Sequence, residues 1–375
     1  MLFSLVFLKL VAFVPAMDAV VELGDYGALA LDTTVGVEYS SNIARNSEEL
    51  EDFIFFAEPL VRYRFDEGAL KVEANVGLEL LRYDDFGEND AENIVSRIIV
   101  EYPHGDYGDA RRYDLLLDMG YREQTAPNES VQAIAETERF DMKFIGRYYV
   151  SDRTFLRGGI EYVSTQSETA SFEDVETMMV PFEVYYDYSD ELAIGVGYFF
   201  VDTDVQGDAP QADSNDHGFF VGGEGQLAPS VNGTVEMGWQ ERNFDHSSFD
   251  DTSAFFMDAS LDWELATPTV VILSAGNLFD TTIDNESSET LYLELEVEHE
   301  FEDKIRGSLG AGYEEEDFSD GREDEEWYGF ATLDYSLIED ISDFAVQLKY
   351  SDRESNDSDS TYEALSLLFE ISYLF

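Results

Sequence analysis

The side chains able to do chemistry in this chain are charged, and they recur at every second position. Among the bases of its first 157 residues, seven fall on the inferred inward face: Arg62, Arg64, Lys71, Arg97, Lys143, Arg147 and Arg157. Nine acids share that face further along: Glu183, Asp187, Glu224, Glu236, Asp258, Asp262, Glu294, Glu296 and Glu298. Apolar residues interleave with them, as in Leu291-Tyr292-Leu293-Glu294-Leu295-Glu296-Val297-Glu298. A period of two places successive side chains on opposite faces of a strand, so these charges share a face that must meet water. The bases are unevenly spread: 15 of the 21 Lys and Arg residues fall by position 157, and only Arg242 lies between Gly158 and Asp303. If the strands close into a tube, the two sets form a basic wall facing an acidic wall. Such walls set up a transverse field that orients dipolar solutes and screens ions. The plainer alternative is pairing with neighbours, for example of Arg62 and Arg64 with Glu73 or Glu79 on the adjacent strand.

Other chemistries fare less well. With 82 acids and a formal charge of −61, the chain repels phosphates, which excludes nucleic acid as a partner. The same field attracts cations, and any pore lined by the excess acids should prefer them. Absence of cysteine excludes disulfides, thiolate metal sites and a Cys nucleophile, and no cofactor is expected. Two acidic groups, Glu314-Glu315-Glu316-Asp317 with Asp320, Glu323 and Asp324, and Asp202, Asp204, Asp208 and Asp213, offer hard oxygens to Ca²⁺ or Mg²⁺ in loops. They lack EF-hand spacing, so plain solvation is the simpler reading. The four histidines are His104, His217, His246 and His299. His246 beside Asp245, Ser247 and Ser248 is the one place for a hydrolase site at a barrel rim. Adjacent side chains on an extended backbone point apart, however, and there is no oxyanion element or Gly-x-Ser-x-Gly. Enzymatic activity is not expected.

The elements that position these charges are strands. The chain is 44% apolar, yet after its first twenty residues it has no uncharged run long enough for a membrane-spanning helix. Met1 to Ala16 reads as an export signal with Val14 and Ala16 at small-residue cleavage positions. Residues 1–20 are therefore assigned to a signal peptide and 21–375 to one barrel domain without a plug. Apolar sets such as Leu70, Val72, Ala74, Val76, Leu78 and Leu80 are long enough to cross a bilayer as strands. Eight short turns alternate with nine long loops, which gives eighteen strands, with sixteen as the runner-up. Both chain ends fall on the short-turn side, the periplasmic side of outer-membrane barrels. Tyr102, Tyr113, Tyr148, Trp239, Trp263 and Trp327 sit near strand ends on the apolar set, as interfacial girdles would. Pro59 and Pro181 fall within strands, where each lacks a ladder donor unless a bulge absorbs it.

The final stripe, Leu365, Leu367, Phe369, Ile371, Tyr373 and Phe375, resembles the assembly signal of bacterial outer-membrane β-barrels, which the insertion machinery reads on the last strand. Near the start, Val37-Glu38-Tyr39-Ser40-Ser41-Asn42-Ile43 resembles the Tyr-x-x-Asn-Ile/Val segment of the "putative beta-barrel porin 2" group. One middle position is usually Asp in that group, and here both are Ser. The resemblance implies an all-β protein, a single transmembrane antiparallel up-and-down barrel in contact with the lipid of a Gram-negative outer membrane. It implies a porin-like channel for passive passage of small hydrophilic solutes. Some members are encoded beside exopolysaccharide export systems, so a role in such export is the alternative.

Overall fold

The computed structural model describes residues 20–103, 112–128, 133–169, 172–207, 211–266, 268–338 and 341–375. The export segment up to residue 19, the turn holding His104, and Asp208, Thr267, Glu339 and Asp340 lie outside them. After a short strand β1 (Val20–Glu22) come β2 (Ala28–Ser40), β3 (Asp52–Glu67), β4 (Leu70–Tyr83), β5 (Ala91–Tyr102), β6 (Tyr113–Asn128) and β7 (Ala133–Ser151). Next are β8 (Thr154–Ser167), β9 (Asp174–Asp187), β10 (Leu192–Gln206), β11 (Ser214–Ala228), β12 (Val231–Phe244) and β13 (Thr252–Ala266). The chain ends with β14 (Thr269–Thr281), β15 (Ser287–Glu302), β16 (Ile305–Phe318), β17 (Glu323–Ile338), β18 (Ser342–Ser355) and β19 (Tyr362–Leu374).

Strands β2 to β19 form one antiparallel sheet in which each pairs with its chain neighbours, and β19 closes onto β2. The closed ring has eighteen strands, as the turn count anticipates. At the seam, Leu31 and Phe375 exchange backbone hydrogen bonds of 2.9 and 2.7 Å. Beyond them β1 pairs with Ala28–Ala30, continuing the edge of β2. Closure removes the free edges that an open sheet would offer to other chains.

Alternation decides what faces where. On β15, Leu291, Leu293, Leu295 and Val297 are exposed outward, while Tyr292, Glu294, Glu296 and Glu298 point into the tube. An outer surface carrying Trp239, Trp263, Trp327, Tyr148 and Tyr188 in the open is unfavourable in water and natural in a bilayer with aromatic belts. The two prolines need no bulge. The β3–β4 ladder lapses beside Pro59 and resumes in the same register, and the β8–β9 ladder does so beside Pro181. On their other edges Pro59 still pairs with Thr33, and Pro181 with Phe199.

Strands run further into the mouth than the charge runs imply. Glu314–Asp317 belong to β16, where alternation splits the run between two faces, and Asp202 and Asp204 to β10, where they share one face. Among the described residues no group of three or more His, Asp and Glu is placed to hold a metal.

Candidate functional site in the barrel lumen

The two predicted charge sets both lie on the inward face. Several bases are held by acids one strand away. Arg62 bonds Asp32 at 2.5 Å, Lys71 bonds Glu101 at 2.9 Å and Glu73 at 3.4 Å, and Lys143 bonds Glu161 at 2.6 Å. Arg64 lies 3.6 Å from Asp66 and 4.0 Å from Glu73. Arg97 grips Asp118 with two nitrogens, Nε at 2.8 Å.

Three bases on β7, four residues apart, also act across the lumen, Lys143 among them. Near the short-turn end Arg147 bonds Glu224 of β11 at 2.9 Å. Beside it Arg157 of β8 reaches Glu183 at 2.7 Å, Glu224 at 2.5 Å and Glu236 of β12 at 3.2 Å. The Tyr185 hydroxyl donates to Glu236 at 2.9 Å, and the two guanidiniums lie over the Phe155 and Tyr185 rings. One step higher, Lys143 is close enough to Asp258 of β13 for their charges to interact. Higher again, Arg139 interacts in the same way with Asp280 of β14. Four residues of strand span about 13 Å, so these contacts mark three levels along the passage. The remaining predicted acids, Asp187, Asp262, Glu296 and Glu298, line the same wall, and Glu294 accepts a 2.6 Å bond from Tyr328.

The upper part of the β9–β14 wall is filled. Phe199, Phe220 and Phe256 form a buried cluster with Met179, Val201 and Leu278 packed against it. The rings fit because glycines lie opposite: a Cβ at Gly218 would come within 2.0 Å of the Phe199 ring, and one at Gly197 within 2.2 Å of Phe220. Above them the β14–β15 loop leans over the mouth. Ile283 is buried with Ala135, Val175, Val205 and Ala212, against Phe172, Phe244 and Phe249. Its carbonyl accepts from the Glu173 backbone at 2.7 Å, and Asn285 Oδ1 accepts from the Ala212 backbone at 2.8 Å.

Arg242 pins the root of this roof. It is 1% exposed, grips Asp216 at 2.8 and 2.7 Å, and donates to the Asp280 carbonyl at 2.7 Å and Ser287 Oγ at 2.6 Å. Within the loop, burial raises the carboxyls of Asp284 and Glu286 above their ordinary values; Thr282 and Ser319 respectively donate hydrogen bonds that oppose the rise. A second buried arginine, Arg353, meets Asp324 and Glu316 at 2.6 Å each. His246, the candidate rim histidine, accepts the Ser248 backbone N–H at 3.2 Å.

A closed eighteen-strand ring with apolar exterior, aromatic belts and charged interior suits a membrane outside and water inside. A family model described as "Putative beta-barrel porin 2" matches residues 199–373. The chain has the fold of an outer-membrane β-barrel, and its second half matches that porin model. Among solved structures the barrel resembles OpdQ of Pseudomonas aeruginosa, with 10% identity, a TM-score of 0.51, and coverage of 92% of this chain and 98% of that one. A BenF-like porin from Pseudomonas fluorescens Pf-5 matches with 9% identity and TM-score 0.52 over 94% and 100%. OccK2 (OpdF) of Pseudomonas aeruginosa, solved in complex with glucuronate, matches with 8% identity and TM-score 0.52 over 92% and 98%. No curated protein matches. At these identities the likeness is one of fold.

Sequence reasoning passed over Arg139 and Arg353 in the barrel, and gave no role to Arg122 or Arg242. β6 and β7 pair as far as Asn128 and Ala133, so that hairpin's strands reach well into the mouth. The signal for Arg242 was its isolation in an acidic stretch, which marks a base with a dedicated partner.

Proposed function

We propose that the protein is a channel for passive passage of small hydrophilic solutes, with preference for cations. The observation that carries this reading is the height of wetted charge on the inner wall. Arg97, Lys143 and Arg62 have side chains about half exposed inside the tube. A lumen packed shut would bury such groups at large desolvation cost. Acids outnumber bases, so the interior potential favours cations entering. Bases on β7 and β8 opposite acids on β11 to β14 add a field across the passage, which favours solutes carrying a dipole.

The same reading gives the orientation. β1 and the end of β19 stand at the short-turn end, assigned to the periplasm, and the long loops face outside. The outward stripe Phe369, Ile371, Tyr373 and Phe375 on the closing strand offers the insertion machinery an apolar edge to read. Passage is tested by swelling of liposomes containing the purified protein in isosmotic arabinose. Swelling at a rate that scales with protein content is expected; no swelling above empty liposomes would overturn the channel.

A further inference from the structure

We propose that the inner wall of β5 to β7, just inside the long-loop mouth, binds the carboxylate of a small solute between Arg122 and Arg139. These two arginines are Cα partners across the β6–β7 ladder, so their side chains leave the sheet side by side on one face. That face is the lumen, because outward positions on the same strands carry Met119, Tyr121, Phe140 and Phe144. Like charges directly opposite on neighbouring strands destabilise the pair. In a chain with 82 acids, relief by a nearby carboxylate would be easy to arrange.

It has not been arranged here. Among the described residues, Arg97, Arg147, Arg157, Arg242 and Arg353 each contact an acid within 3.0 Å. Arg122 and Arg139 make no ion pair within 4.0 Å; Arg122 acts only at longer range on Glu58, and Arg139 on Asp280. Asp141, two residues from Arg139 on the same face of β7, is laid over Gly120, where a Cβ would meet its Oδ1 at 2.8 Å, and it acts on Arg97. Both arginines stay exposed, at the rim of a concavity lined also by Glu58, Asn75, Arg97, Gln124 and Asp141.

Two planar guanidinium forks side by side present donors in the geometry that a carboxylate accepts in bidentate fashion. The amides of Asn75 and Gln124 supply neutral donors and acceptors for the rest of the solute. The charge left unpaired by the fold is thus completed by the ligand. This goes beyond channel activity: it names a recognition point in a lumen that is acidic elsewhere.

The test is equilibrium dialysis of the detergent-solubilised full chain against radiolabelled benzoate, with benzamide as the uncharged match. Saturable benzoate binding is expected, with benzamide at least tenfold weaker. The R122Q/R139Q variant should lose at least tenfold in benzoate affinity while its thermal midpoint holds or rises, since a like-charge contact is removed. R139Q alone keeps one guanidinium and should fall between. Undiminished benzoate binding in these variants, equal binding of benzamide, or no saturable benzoate binding would overturn the proposal. Dialysis does not require conduction, so failed liposome swelling would remove the channel and leave this test intact.

Discussion

On the β2–β7 side of the lumen several bases stand in water beside an acid one strand away, as with Arg62 and Asp32 or Arg97 and Asp118. On the β9–β14 side, Phe199, Phe220 and Phe256 are buried against glycines, and Arg242 is sealed beneath the loop that carries Ile283. Both walls follow the same two-residue alternation. They differ in what covers the inward face. The Arg62 side chain is 50% exposed and that of Arg242 is 2% exposed, so an ion pair of the same chemistry does different work in each place. In water it adds little to stability and leaves its charge available to solutes. Under cover it holds a loop to a barrel, and losing one partner strands the other.

The comparison breaks most visibly at its two arginines. R242A should destabilise the barrel by about 3–5 kcal/mol, because Asp216 is left buried without its cation. R62A on the open wall should cost under about 1 kcal/mol. Urea unfolding of the detergent-solubilised variants checks both; equal losses would erase the distinction between the walls. Next in size is I283D, which places a carboxylate in the apolar roof and should release the loop at a cost of about 2–5 kcal/mol. Single-channel conductance is expected to rise, and an unchanged value would mean the roof does not narrow the mouth. G218A forces the Phe199 ring to move and should cost about 1–3 kcal/mol, read by thermal unfolding.

The smallest effect is one of pH. Asp284 and Glu286 have raised carboxyls in the folded loop, so the folded loop binds protons more tightly than the released one. Its stability is therefore greatest near and below their ordinary values, 3.8 and 4.5, and falls as pH rises through the raised range. Amide exchange in Thr282–Glu286, corrected for intrinsic rates, should be slower relative to neutral pH when the sample is mildly acidic. D284N should flatten that dependence.

Strand count, closure and the in-or-out side of most residues were legible because a barrel strand writes its two environments into alternate letters. Leu293 and Glu294 need no partner to be assigned. The charged site residues were legible in their facing but not in their partners. Which acid meets Arg157 depends on lumen width and strand stagger, and its three carboxylates come from β9, β11 and β12. The roof was not legible at all. Ile283 is an ordinary loop residue until loops from strands far apart in sequence bring Val175, Val205 and Ala212 to it. The opposed pair Arg122 and Arg139 was missed for a related reason: cross-strand register fixes it, and that register runs beyond the apolar stripe into the mouth.

The reversal potential of single channels in a planar bilayer under a KCl gradient tests the electrostatics of this lumen most directly. A potential showing K⁺ favoured over Cl⁻, with the preference shrinking as salt rises, is the expected result. A Cl⁻-selective potential would contradict it, and so would a membrane that shows no conductance steps.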